Sequence, residues 1–206
     1  SSLERANESR REMEAVNVKL LKQSETDQMT GLANRYRLNA YSDKVLDYCY
    51  EHRLPLAMEI LDIDFFKQYN DNYGHQQGDE CIIAIADELK KMEDRQTFCA
   101  RYGGDEFIII YAGASAEEVY AKAAALRQNI MDLKLEHLYS KALPIVTISQ
   151  GISYGVPEEG NRSWDFLHTA DMLLYQVKKK SRNDICIADI RGQELDLSSK
   201  QEKVEP

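Results

Sequence analysis

The sequence predicts an α/β fold in which a mixed sheet is covered by helices. Three observations carry that prediction. Apolar positions alternate along the chain between helical and strand periodicity, in the order helix–strand–helix–helix–strand–strand–helix–strand–helix–strand. Two strand-like runs at residues 97–100 and 107–111 flank Gly103-Gly104, and paired glycines between such runs read as a tight hairpin, because glycine reaches φ > 0 at little cost. With 206 residues, 43% of them hydrophobic, the chain can build one domain of about 150–170 residues plus extensions.

Residues 1–26 are polar yet rich in helix formers, and Leu3, Ala6, Met13, Val16 and Leu20 approximate a 3/4 spacing. This predicts an amphipathic helical linker with a thin stripe: either a solvated helix or a coiled-coil-like dimeric connector from an upstream domain. Gly31 breaks it, and Asn34 is placed to cap a helix reaching about residue 51, with Leu38, Tyr41, Val45, Tyr48 and Cys49 as its core stripe. Residues 54–61 read as a buried strand with Pro55 at its start, running into Asp62-Ile63-Asp64. A short helix ends at Gly74, and a longer one spans about 77–92 with Ile82, Ile85, Ala86, Leu89 and Met92 inward. Past the hairpin come an Ala-rich helix (115–134), a loop (135–143), a strand (144–152), a loop (156–163), a helix (164–180) and a short strand (185–188). The polar residues 191–206 predict a disordered tail, which leaves 27–190 as the folded domain.

Composition excludes several function classes. A net charge of −9 argues against a broad nucleic-acid-binding face. The four cysteines are far apart with no CxxC or Cys/His cluster, so a zinc site is not expected and a reducing cytoplasm fits best. No apolar run approaches the ~20 residues of a membrane span. There is no GxxxxGK[ST] loop, no GxGxxG after a strand and no GxSxG, and His52, His75, His137 and His168 have no partner pattern.

What remains is a pattern of carboxylates and cations. Asp62 and Asp64 end a buried strand, and Asp105 and Glu106 sit at the hairpin mouth. If those strands are neighbours, the carboxylates share one rim and raise each other's pKa unless a cation neutralises them. Hard oxygen ligands without His or Cys suit Mg²⁺ or Mn²⁺. Lys67, Lys178, Lys179, Lys180 and Arg182 could meet phosphate oxygens, although a lysine run at a helix C-terminus also simply complements the dipole. Asp79, in a helix first turn, has the same dipole reading.

Five blocks in order carry a resemblance: Asp27 to Arg35; Leu61 to Lys67 with Asn70-Asp71; Gly74 to Asp79; Arg101 to Phe107; and Ala170-Asp171 through Tyr175, Lys178, Arg182 and Asn183. Over roughly residues 27–188 the chain resembles the GGDEF domain, the catalytic domain of diguanylate cyclases. The resemblance implies a mostly antiparallel sheet of about five strands flanked by helices, similar to the polymerase palm and nucleotidyl cyclases. It implies condensation of two GTP into cyclic di-GMP with loss of two pyrophosphates, in a homodimer whose subunits each hold one GTP. Asp62, Asp105, Glu106 and the Ile63 carbonyl would hold divalent metal, two ions per GTP. Asn70 and Asp79 would read guanine, beside Phe66; Lys67, Lys178 and Arg182 would hold the triphosphate; Gly103 and Gly104 would let the nucleotide lie close to the backbone. Asp105, Glu106 and Lys67 are the expected catalytic residues, with Glu106 a candidate base. The resemblance also implies an upstream sensory domain and a cytoplasmic location, even if attached to a membrane-bound sensor.

Departures from the pattern are Met29 for leucine, Gln150 for an apolar residue and Ser181 for glycine. The larger one is regulatory. Many members carry an inhibitory Arg-x-x-Asp before the signature, and here those positions are Asp94 and Thr97. No such inhibitory site is therefore expected. Two other readings are a non-enzymatic module binding GTP or a cyclic dinucleotide, and a cyclase making a mixed dinucleotide. The intact signature argues against the first, and Asp79 against the second.

Overall fold

The computed structural model describes residues 2–195 and 197, without the side chains of 21–23. The described residues form α1 (Ser2–Ser24), α2 (Arg35–His52), β1 (Leu56–Ile63), α3 (Phe66–Tyr73), α4 (His75–Met92), β2 (Thr97–Gly103), β3 (Glu106–Ala112), α5 (Ala116–Asp132), β4 (Ile148–Gly155), α6 (Ser163–Lys180) and β5 (Ile185–Asp189). The five strands make one sheet in the order β2-β3-β1-β4-β5. Every pairing is antiparallel except β4 with β5. The sheet is thus mixed and mostly antiparallel, as the resemblance implies.

Strand β1 is buried along its whole length, because it lies at the centre with helices on both faces. One face packs Leu61, Phe107 and Ile109 against Ile85 and Leu89 of α4 and Leu126 of α5. The other packs Met58, Ile60 and Ile108 against Leu38 and Leu46 of α2 and Phe166 and Leu174 of α6. Asn34 caps α2 by accepting from the Arg37 amide at 3.0 Å, and Ser115 caps α5 by accepting from Glu118.

Glu59 is an exception inside this apolar frame. It is fully buried in the middle of β1, where Tyr111 Oη donates to one carboxylate oxygen at 3.1 Å and the other oxygen has no partner. Burial pushes its pKa from 4.5 to about 8, only partly offset by Tyr111. Between those two values the folded state keeps a proton that the unfolded chain has released, so Glu59 makes stability fall as pH rises across that window. Glu59→Gln keeps the acceptor for Tyr111 and removes the titration. The variant is expected to match the wild type near pH 4.5 and to exceed it at pH 8 by about 2–4 kcal/mol. Urea titrations at the two pH values check this, and equal stability at pH 8 would contradict it.

Several local expectations are corrected. Residues 144–147 do not join the sheet; they touch Glu136 through one bridge at Ile145, and β4 runs instead from Ile148 to Gly155. Helix α4 begins at His75, because Gly74 at φ 87° turns the chain directly from α3 into α4. Tyr48 is exposed and stacks on His52 rather than facing the core. The expectation of a disordered tail differs at its start: the Asp189 amide donates to the Gln193 carbonyl and Leu195 to Ile187, each at 2.9 Å. The rest of that expectation, at 196 and 198–206, lies outside the described residues. Helix α1 leaves Leu3, Met13, Val16 and Leu20 more than half exposed.

Candidate active site

The site forms where β1 ends beside the β2–β3 hairpin. Register sets Asp62 directly opposite Glu106, so both side chains project from the same sheet face. That face is covered by α6, and Lys178 from its last turn makes an ion pair with Asp62 Oδ2. Of the lysine run only Lys178 turns inward; Lys179 lies over the Tyr175 ring at 4.6 Å. Asp105 occupies the hairpin turn, where the backbone N–H groups of Asp105 itself and of Ile63 favour its ionised form. The two sequence-distant blocks therefore meet at one rim.

Electrostatics at this rim are strained. Burial pushes the Asp62 carboxyl up to about 7, with Lys178 opposing and Asp105 and Asp64 adding to the rise. Burial also raises Asp105, against its backbone partners and Lys178. Glu106 is raised by burial first and then by the Asp105 and Asp171 charges. Asp62 Oδ1 is buried and has no partner. An unpartnered carboxylate oxygen beside two further acids has the donor chemistry of a hard divalent cation. Among the described residues no three acidic, His or Cys groups already converge as a closed metal cage. Lys178 instead supplies the counter-charge, and the carboxylates present fit an oxygen-ligated ion without enclosing it.

Asp64 is separated from this role. It is fully buried and accepts from Thr147 Oγ1 at 2.7 Å, Ser149 Oγ at 2.5 Å and the Asn183 amide at 2.9 Å. Its oxygens are consumed in fixing the start of β4 and the chain after α6, so three of the four rim carboxylates, Asp62, Asp105 and Glu106, remain for a ligand. The chain after α6 turns through Arg182 and Asn183, both at positive φ, and Arg182 Nη1 lies 3.8 Å from Asp64. The Arg182 guanidinium covers the Phe65 ring at 4.1 Å.

The hairpin is anchored from below. Arg101 donates to the Gly104 carbonyl through Nε and Nη2, and its Nη1 pairs with Asp27 at 3.3 Å. Its backbone amide donates to the Ala33 carbonyl at 2.9 Å. This explains the first block: Asp27 to Arg35 is the bracket of the turn. A Cβ built on Gly103 or Gly104 would meet nothing, so the space above the turn is open, and Gly104 at φ 50° also favours glycine.

Asn70 on α3 lies against Gly78 in the first turn of α4, one residue before Asp79. A Cβ on Gly78 would fall 1.8 Å from Asn70 Oδ1 and 3.4 Å from the Phe66 ring. That oxygen is buried without a partner. Phe66, Asn70 and the Asp79 backbone are thus brought together, while the Asp79 and Lys67 side chains stay exposed. Beside Glu106 a cavity of about 350 Å³ is lined by Tyr102, Trp164, His168 and Asp171. Asp94 and Thr97 form a closed loop: Asp94 Oδ1 accepts from the Gln96 and Thr97 amides, and Lys122 Nζ reaches Asp94 at 3.3 Å and Thr97 Oγ1 at 2.9 Å.

Sequence reasoning gave no role to Phe65 or His137. His137 lies in none of the five blocks; Phe65 lies in one, but a phenylalanine at φ 54° is a conformation its propensity argues against.

A family model described as diguanylate cyclase, GGDEF domain, matches residues 24–184. The chain belongs to this family. Among its relatives, the probable diguanylate cyclase DgcC of Escherichia coli K12 is 34% identical over 163 residues, covering 78% of this chain and 42% of that protein. The response regulator PleD of Caulobacter vibrioides is 31% identical, covering 78% of this chain and 35% of that protein. The chain therefore spans less than half the length of these two curated relatives. Among solved structures, the coiled coil and GGDEF domain of DgcB from Caulobacter crescentus, in complex with c-di-GMP, superposes with a TM-score of 0.78 at 30% identity. It covers 91% of this chain and all of that one. Members of the GGDEF family are nucleotidyl cyclases that generally need a divalent metal. Among the described residues no helix is long and apolar enough to cross a membrane.

Proposed function

We propose that two copies of this chain condense two GTP molecules into cyclic di-GMP, releasing two pyrophosphates. One observation carries the reading: Asp62, with a buried unpartnered oxygen, stands opposite Glu106 and beside Lys178, under an open glycine turn. That arrangement suits a metal-bound triphosphate and little else in the fold.

In this reading Asn70 and Asp79 hydrogen-bond the guanine edge, next to the Phe66 ring. Lys67, Lys178 and Arg182 hold the phosphates, and Gly103 and Gly104 admit them to the backbone. Asp62, Asp105, Glu106 and the Ile63 carbonyl would hold Mg²⁺ or Mn²⁺, two per GTP, which would neutralise phosphate charge and acidify the attacking hydroxyl. The 3′-oxygen of one GTP forms a bond to the α-phosphorus of the other as the bond to pyrophosphate breaks, and Glu106 is placed to take the hydroxyl proton. Burial and the Asp105 charge raise its pKa above the ordinary glutamate value, which favours its holding that proton. Lys178, paired here with Asp62, would be free to hold a phosphate once a cation neutralised that carboxylate. The protein supplies position and charge.

One subunit holds one nucleotide, so turnover needs two subunits facing each other. The exposed stripe of α1 is the pairing element, a reading supported by the coiled coil of the DgcB relative. It would relay a signal from an upstream sensory domain, and GTP as substrate places the domain in the cytoplasm. Asp94 and Thr97 stand where the inhibitory motif has its arginine and aspartate, and both are tied to Lys122, so in this reading that motif does not bind product. Incubation with GTP and Mg²⁺, with ATP as competitor, followed by product chromatography tests the reaction. Cyclic di-GMP alone is expected; a mixed dinucleotide or unreacted GTP would refute the assignment.

A further inference from the structure

His137 sits in the loop between α5 and β4 and is completely buried. Its Nε2 lies 2.9 Å from the Phe65 carbonyl oxygen, 72 residues away in sequence. A carbonyl only accepts, so Nε2 carries a proton and donates it to Phe65. Nδ1 is buried without a partner. The ring stands edge-on to Tyr69 at 5.2 Å and to Tyr73 at 6.2 Å. The loop itself is pinned on both sides: His137 N donates to the Pro144 carbonyl at 3.0 Å, and Leu138 N donates to Tyr73 Oη at 3.0 Å.

The residue that His137 grips is the pivot of the site. Phe65 is in the left-handed conformation, at φ 54° and ψ 38°, and caps α3 with no side-chain hydrogen bond. For a bulky residue that conformation costs on the order of 1–3 kcal/mol and persists only where surroundings enforce it. It turns the chain from Asp62 and Ile63 at the end of β1 into Lys67 and Asn70 on α3. Three contacts enforce it. The carbonyl accepts from Tyr69 N at 3.0 Å and from His137, and the ring lies under Arg182.

We propose that His137 is a positioning residue of the cyclase reaction, whose Nε2–H holds the Phe65 turn and so sets Lys67 and Asn70 against the carboxylate rim. The proposal rests on the cyclase reading for its kinetic readout, but its structural readout does not. When the donor is lost, the Phe65 carbonyl keeps its helical partner, so the fold survives while the turn relaxes. A displacement of about 1 Å in phosphate- and base-binding groups costs on the order of 10²-fold in rate.

The test compares His137→Leu, which removes the donor at similar volume, with His137→Gln, whose amide nitrogen reaches the Nε2 position, and His137→Asn, whose amide falls short of it. Three measurements are made on each folded variant: kcat and KM for GTP, calorimetric affinity for a non-hydrolysable GTP analogue with Mg²⁺, and amide hydrogen exchange over residues 64–70. His137→Leu and His137→Asn are expected to lose at least about tenfold in kcat, with a smaller change in KM, and to exchange at least about tenfold faster over 64–70. His137→Gln is expected to recover both to within about threefold. Equal impairment of the Gln and Asn variants, or a Leu variant unchanged in exchange and analogue affinity, would overturn the proposal. If His137→Leu fails to fold, the Gln–Asn pair decides. If the wild type makes no cyclic di-GMP, the cyclase reading fails, while exchange and analogue affinity still judge the role of His137.

Discussion

Asp105→Ala is expected to abolish turnover while the domain stays folded. The carboxylate sits in the hairpin turn, outside the hydrophobic clusters. Burial raises its pKa, so its ionised form is held at a cost in the absence of a cation. Removing it relieves repulsion with Asp62 and Glu106, and stability is expected to be unchanged or slightly higher. The reaction has the opposite requirement. In the cyclase reading Asp62, Asp105 and Glu106 would hold a divalent cation, and losing one group that stabilises transition-state charge costs at least about 10²–10³-fold in kcat. Product chromatography together with thermal unfolding separates the two effects. Ordinary turnover by Asp105→Ala would refute its place among the metal-holding residues.

Gly151→Ala is expected to have the largest effect on stability. Gly151 lies in β4 between Ile60 of β1 and Cys186 of β5. A Cβ there would come within 2.3 Å of the Ala170 carbonyl oxygen and the Leu174 amide nitrogen, and 2.9 Å of Leu174 Cα. These are backbone atoms of α6, so no rotamer change relieves the clash and the helix must move bodily. Overpacking of this kind costs about 3 kcal/mol, or a fall in Tm of roughly 6–12 °C for a domain of this size. Because α6 also delivers Lys178 to Asp62, whatever folds should bind nucleotide less well. An unchanged Tm would show that α6 does not pack as closely as described.

Much of this was legible in the residues before any coordinates. The glycine pair and its β-branched flanks gave the hairpin, and periodicity gave α2, α4 and α6, because those signals are local. The strand expected at 54–61 was legible to within two residues: β1 is Leu56–Ile63, with Asp62 inside it. The start of β4 was not. Residues 144–147 have strand composition, but their backbone turns toward the 135–143 loop, and Thr147 spends its carbonyl on Asp64 N at 2.9 Å. Asp62 and Asp64 look equivalent in sequence and differ wholly in space, because Thr147 just before β4, Ser149 in β4 and Asn183 after α6 all donate to one and not to the other. His137 and Phe65 were invisible for the same reason. Their contact spans 72 residues, and no spacing rule links a loop histidine to a carbonyl. The helical stripe of α1 was legible, and its apolar residues Leu3, Met13, Val16 and Leu20 stay more than half exposed.

The most direct measurement of the central claim is the initial rate of cyclic di-GMP formation from GTP and Mg²⁺ as a function of protein concentration. A site completed only by two facing subunits predicts a specific activity that rises with concentration and levels off once dimers dominate, with the product identified as cyclic di-GMP. A specific activity independent of concentration from the monomeric range upward, or no cyclic di-GMP at any concentration, would contradict it.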